Sequence, residues 1–152
     1  MNIVAKYSSY RLGNIKIAIG VLIVLSIWCV YDGYHNQKFI DKHTKADGKA
    51  DHTLIFSQKF PYFGVIATFG FAGAFVKRRR MQLTADDDVL VLSNGKKVPY
   101  DNIEEIDHTA FDENGKFSFK YMENGQEKSV TLSKKTWDDL EKLLKHLISK
   151  IS

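Results

Sequence analysis

Phe60-Pro61-Tyr62-Phe63-Gly64-Val65-Ile66-Ala67-Thr68-Phe69-Gly70-Phe71-Ala72-Gly73-Ala74-Phe75-Val76-Lys77-Arg78-Arg79-Arg80 divides the chain into two kinds of sequence. Residues 60–76 carry no charge, and four consecutive cations follow them. Positive residues beside the end of an apolar helix stay on the cytoplasmic side of a membrane. The stretch therefore reads as a transmembrane helix over 60–76 with a cytoplasmic stop. At 1.5 Å per residue it covers about 25 Å, so flanking turns or a thinned bilayer must complete the crossing. Pro61 stands at its entrance, where a missing N–H costs little. Gly64 and Thr68 are four apart, as are Gly70 and Ala74. Such spacing lets two membrane helices approach closely. We expect Gly64, Ala67, Thr68, Gly70, Gly73 and Ala74 to form a helix-packing interface, with the first helix and its Gly20 as the nearest partner. The alternative is that small residues are simply frequent in spans.

Working back from this stretch, Ile17 to Tyr31 is a second uncharged run. Alone it is short of the roughly 20 residues a span needs. Lys16 can snorkel at one end, and Trp28, Tyr31 and Tyr34 suit the interface at the other. The first span is accordingly read over 14–34, with a buried core helix as the alternative. Residues 1–13 read as a cytoplasmic tail. Residues 35–59 read as a polar outer loop with a helical turn around Asn36 to His43. Its His35, His43 and His52 lack the close spacing of a zinc site, and an exposed loop is the stronger reading. Cys29 is the sole cysteine, so no internal disulfide is available. No small-residue cleavage site follows the first apolar run, which reads as retained.

Charge supports the same layout. The 152 residues carry 22 Lys plus Arg and 18 Asp plus Glu, net +4. The first sixteen residues contribute +3 and Lys77 to Arg80 another +4, whereas 81–152 hold ten Lys against fourteen acids, net −4. A basic pI usually raises nucleic acid as a partner. Here the cations flank the apolar runs and the region beyond them is acidic, so membrane topology accounts for the charge. Both basic flanks fall at the same side, which places the two termini in the cytoplasm and the protein in the plasma (inner) membrane as a multi-pass chain.

Beyond Arg80 the apolar residues alternate. Met81 to Thr84, Val89 to Leu92, Lys96 to Tyr100, a region around Ile103, Ile106 and Phe111, and Phe117 to Tyr121 with Ser129 to Leu132 read as short strands. Asp86-Asp87-Asp88 reads as a turn, Pro99 as an edge or a break, and Asn94-Gly95, Asn114-Gly115 and Asn124-Gly125 as turns of an antiparallel meander. Phe117, Phe119 and Tyr121 share one face. The last segment is an amphipathic helix in which Trp137, Leu140, Leu144, Leu147 and Ile151 recur every three or four residues. Thr136 and Asp139 form a capping-box-like start. The fold class is thus an α+β membrane protein: a two-helix transmembrane hairpin, then a small antiparallel β domain of about five strands over 77–152, capped by a C-terminal helix.

Val98-Pro99-Tyr100-Asp101-Asn102-Ile103-Glu104-Glu105-Ile106, followed by short strands and a helix near Trp137, resembles the small pleckstrin-homology-like domains of bacterial membrane proteins. In these a "pY-x-x-I-x-x-I" stretch joins two strands, and two membrane helices often precede the domain. The resemblance covers about 79–150. It implies seven strands in the full fold, so the smaller number read here points to a reduced or open version. It also implies an interaction or scaffold domain rather than an enzyme.

No catalytic constellation is legible. Asp86-Asp87-Asp88 lacks the spaced ligands of a calcium loop, and His108 has no nucleophile or partner carboxylate at a recognisable spacing. Trp137 reads as a core anchor rather than a ligand platform. We expect no enzyme activity, no cofactor and no metal. The expected partners are the lipid bilayer and other membrane subunits, with no nucleic acid and no identified small-molecule substrate. The expected function is that of an accessory subunit or scaffold in a membrane complex. The alternative is an anionic-lipid-sensing module using Lys77, Arg78, Arg79 and Arg80 as a membrane-surface cluster.

Overall fold

The structure is a computed structural model and describes residues 2–151. It is α+β, with two long apolar helices and two antiparallel sheets. The chain divides into two compact units, residues 13–76 and residues 1–12 with 77–152.

The helical unit holds most of α1 (Ser9–Val30) and α3 (His52–Arg79). A π-helical turn, Tyr31–His35, continues α1, and a short α2 (Gln37–Lys42) follows. Ser9–His35 and His52–Arg79 are each long and apolar enough to cross a membrane. Their side chains point outward: Ile66 is 71% exposed and Phe69 is 74% exposed. Both helices exceed the expected spans. On the first, helical structure starts five residues before Asn14. On the second it starts eight residues before Phe60, because Asp51 supplies a cap: its Oδ1 accepts the Leu54 N–H at 2.9 Å. Such a side-chain acceptor satisfies one of the four orphan N–H groups of a helix start. Pro61 consequently lies inside α3 rather than at its entrance. One ladder bond is forgone there. The expected outer loop shrinks to residues 36–51. Its expected helical turn is α2, capped by Asn36 Oδ1 accepting from Phe39 N at 3.3 Å.

The β unit corrects the strand count. Seven strands are present among the described residues, and the first lies ahead of the helices. Strand β1 (Ile3–Lys6) pairs antiparallel with β2 (Gln82–Ala85), Val4 opposite Thr84. Residues expected as a tail are therefore a sheet edge. Its brevity hid it: four residues, of which only Ala5 is fully buried, make no readable alternation. Strands β3 (Val89–Val91) and β4 (Lys97–Pro99) complete a four-stranded sheet in the order β1-β2-β3-β4. Pro99 sits on the edge strand, where its missing donor does no harm. A 3₁₀ turn, Tyr100–Asn102, leads into β5 (Ile103–Asp107), which with β6 (Lys116–Glu123) and β7 (Gln126–Ser133) forms a three-stranded sheet.

Two of the three Asn-Gly pairs are hairpin turns. Asn124 and Gly125 take φ of 51° and 75° between β6 and β7, the pair of positive values a two-residue type I′ turn requires. Asn114-Gly115 differs: Gly115 ends a single helical turn, α4 (Phe111–Asn114), in the left-handed conformation. Phe111 thus belongs to α4 and not to a strand, and packs edge-on to Phe117 at 5.9 Å. On β6, Phe117, Phe119 and Tyr121 are all buried on one face, as their alternation indicates.

Helix α5 (Leu140–Ile151) turns Leu140, Leu143, Leu144 and Leu147 inward. It opens three residues later than the Thr136–Asp139 pattern indicates. The segment before it is a turn that bridges to the residues just after β1: Ser8 N donates to Thr136 O at 2.8 Å, and Asp138 N donates to Lys6 O at 2.8 Å. Those backbone groups are committed to a sheet-like bridge between Tyr7 and Trp137 and cannot serve a helix. Asp139, at φ 58°, makes the break. The core joins Ala5 and Tyr7 to Leu83, Leu90, Phe117, Phe119, Trp137 and the inward leucines of α5. Each fully buried side chain of this size contributes roughly 1.5–3 kcal/mol.

Candidate functional site

Two surfaces follow from the sequence, and the structure treats their residues unequally. In the helical unit, Gly64 is buried against α1. A Cβ at this position would collide with Ser26 Oγ, so glycine is what permits the close approach. Ser26 and Thr68 hydroxyls donate to the carbonyls four residues back, Leu22 O and Gly64 O, each at 2.7 Å. Both of these hydroxyls are thus paired within their own helices, as an apolar surrounding demands. Ser26 and Thr68 line a groove of about 250 Å³ with Ile23, Ile27, Val65 and Phe69. Ala67, Thr68 and Ala74 are half-buried. Gly70 and Gly73 are exposed, and a Cβ at either would meet nothing within 4 Å. Gly20 is equally open. The first helix is therefore the partner, but through Ser26 in place of Gly20.

A second close approach lies at Gly33. A Cβ there would stand 3.1 Å from Ser57 C and 3.2 Å from Gln58 N. Gln58 binds this turn from both its ends: its side-chain amide donates to Gly33 O, and its carbonyl accepts the Tyr34 hydroxyl, each at 3.2 Å. Gly33 falls near the end of the first expected span, 14–34. Its four-residue distance from Cys29 and Asn36's capping side chain carry no signal of contact with α3, so only the folded hairpin reveals its role.

The loop histidines are not gathered. His43 Nδ1 lies 2.8 Å from Asp51 Oδ2, tying the end of α2 to the start of α3. The Leu54 N–H, with the His43 contact second, holds the Asp51 carboxyl below the usual range. Among the described residues no group of three or more His, Cys, Asp or Glu side chains could hold a metal ion. In the β unit, Asp86-Asp87-Asp88 forms the turn expected of it, with Asp86 N donating to Val89 O at 2.9 Å. Asp86 O accepts the Tyr100 hydroxyl at 2.6 Å and lies 3.2 Å from His146 Nε2. Tyr100 thereby pins the connection between the two sheets to the β2–β3 turn. His108 is exposed.

The basic cluster belongs to the β unit. Lys77, Arg78 and Arg79 occupy the last turn of α3, where cations oppose the partial negative charge of the helix end. Arg78 lies over the Tyr7 ring at 6.0 Å. Tyr7 N donates to Met81 O at 3.1 Å, which brings Lys6 to within two ladder positions of Arg80. Asp138, which the sequence places on a helix, instead caps one: its Oδ2 accepts the Ser9 N–H at 2.9 Å, at the first residue of α1.

Ion pairing is uneven across this unit. Seven of the ten lysines beyond Arg80 face carboxylates within 4 Å: Lys96, Lys120, Lys128, Lys134, Lys142, Lys145 and Lys150. Lys96 is the most constrained, 2.5 Å from Glu123 and donating to the Tyr121 hydroxyl at 2.8 Å; both contacts push its ammonium above the usual lysine range. Lys77, Arg78, Arg79 and Arg80 have no such partner among the described residues. Compared with protein-family models, with curated proteins and with solved structures, the chain matches none.

Proposed function

We propose that this protein is a non-catalytic, membrane-anchored interaction protein, an accessory subunit or scaffold of a larger membrane complex. The observation that carries this reading is the unequal use of small residues on α3. Gly64 is consumed by Ser26 within the chain, whereas Gly70 and Gly73 stay open on an apolar, outward-facing helix. In a bilayer, small residues on an open face admit a second helix at close range.

The placement in the plasma (inner) membrane rests on the two apolar helices and their basic flanks. The β1–β2 pairing supports an even number of crossings, because strands joined in one sheet must lie on one side of a bilayer. The excess of cations beside the helix ends favours the cytoplasm as that side. We further propose that the β unit is pleckstrin-homology-like. Seven strands arranged as four plus three, a terminal helix, and a Pro99-Tyr100 stretch joining the sheets support the assignment.

The test is isolation of the full chain from its native membrane in mild detergents. Stoichiometric membrane-protein partners are expected, lost in Gly70→Leu/Gly73→Leu and kept in a Lys116→Gln control. A monomer or homo-oligomer in every detergent overturns the proposal.

A further inference from the structure

The β unit assembles a basic surface that the sequence divides. Lys6 and Arg11 come from the start of the chain, and Lys77 to Arg80 from more than sixty positions later. The β1–β2 ladder sets Lys6 opposite Gln82 and places the first turn of α1 and the last turn of α3 at the ends of adjacent strands. All six cations are exposed, and none has a carboxylate partner among the described residues. That contrasts with the seven paired lysines of the same unit. Arg11 is the telling member. A cation in the first turn of a helix is unfavourable to the helix itself, and α1 has no acid in that turn to offset it. Asp138, the carboxylate at this helix start, is engaged by the Ser9 N–H. Beside Arg11, Tyr10 is 76% exposed, an aromatic ring of the kind that settles at headgroup depth.

We propose that Lys6, Arg11 and Lys77 to Arg80 together form a binding surface for anionic phospholipid headgroups. This rests on the membrane placement proposed above, since the surface borders the ends of both apolar helices. Charge complementarity selects the occupant: six unneutralised cations at a helix–sheet junction meet a phosphate-bearing leaflet. Both halves of the surface contribute, so neither the N-terminal pair nor the Lys77–Arg80 run suffices alone.

The experiment uses the full chain in neutral detergent, mixed with phosphatidylglycerol or phosphatidylcholine, with bound lipid counted by native mass spectrometry. Phosphatidylglycerol is expected to bind preferentially and to be weakened by salt. Lys6→Gln/Arg11→Gln and Arg79→Gln/Arg80→Gln should each reduce its affinity, by roughly fivefold per cation removed. The exposed Lys116→Gln/Lys135→Gln control should leave it unchanged. Equal binding of the two lipids, a loss confined to Arg79→Gln/Arg80→Gln, an equal loss in the control, or full displacement by inorganic phosphate would each overturn the proposal. Carbonate-resistant sedimentation of the same variants with membranes separates the two levels. Retention without lipid preference overturns the headgroup surface alone, whereas release of the parent chain overturns the spans as well.

Discussion

The two units of this chain treat apolar side chains in opposite ways. In the β unit Phe117 and Phe119 are 2% and 1% exposed, under a surface of paired charges. In the helical unit Phe63 and Phe69 are 69% and 74% exposed, and glycine, serine and threonine occupy the helix contact. One unit is organised by removing apolar area from water. The other has its largest side chains outside, as a helix pair does when its solvent is itself apolar and close packing must supply the attraction. A single composition average would describe neither.

The largest expected effect breaks this contrast directly. Phe117→Ala should destabilise the β unit by roughly 3–5 kcal/mol, read by urea denaturation in mild detergent. Phe69→Ala should leave that transition where it was. Equal losses would mean that the exposed phenylalanine is buried in the working protein. Next comes the helix contact. Gly64→Leu should force α1 and α3 apart at Ser26, at a cost of about 1–3 kcal/mol. Gly70→Leu should spare the hairpin. Cross-linking efficiency between cysteines placed on the two helices would report the difference.

A smaller effect is expected at Tyr100. Burial, followed by the charges of Asp86, Asp87 and Asp88, pushes its hydroxyl up to about 12 from an ordinary 10.0. The folded protein holds this proton more tightly than the unfolded chain. The associated stability is therefore complete below about pH 10 and is lost as pH rises toward 12. Tyr100→Phe should remove that alkaline loss and, at neutral pH, the bond to Asp86 O, worth about 1 kcal/mol. A denaturation series from about pH 8 to about pH 12 would show both, the alkaline loss falling between about pH 10 and about pH 12. The smallest effect belongs to the exposed Lys142–Asp139 pair, 2.7 Å apart. Lys142→Ala should change stability by less than about 0.5 kcal/mol.

What could be read from the sequence followed the range of the interactions involved. Asn124-Gly125 and the Phe117-Phe119-Tyr121 alternation encode a hairpin locally, and both were legible. The uncharged runs marked the cores of the two long helices, although polar His52, Thr53, Gln58 and Lys59 concealed that α3 begins before Phe60. A cap at Asp51 outweighs local polarity there. Strand β1 was illegible because its partner lies about eighty residues away and its four residues bury one side chain. Trp137 shows the same limit. Its helical spacing is genuine, but its neighbours' backbone is claimed by Lys6 and Ser8, at the far end of the chain. Among the candidate site residues, Gly64 was identified from spacing alone. Ser26, which it meets, lies in a run where serine is unremarkable.

The position of β1 also sets an order of events during synthesis. At about 5–20 residues per second, Ile3–Lys6 leaves the ribosome several seconds before Gln82–Ala85 exists to pair with it. Both long helices are made in that interval. The four-stranded sheet can close only after both helices have been made and Gln82–Ala85 has come back beside Ile3–Lys6. Until β1 docks, β2 keeps an empty edge and Trp137 lacks Tyr7. Completion of the sheet thus reports that the two ends of the helical segment have met.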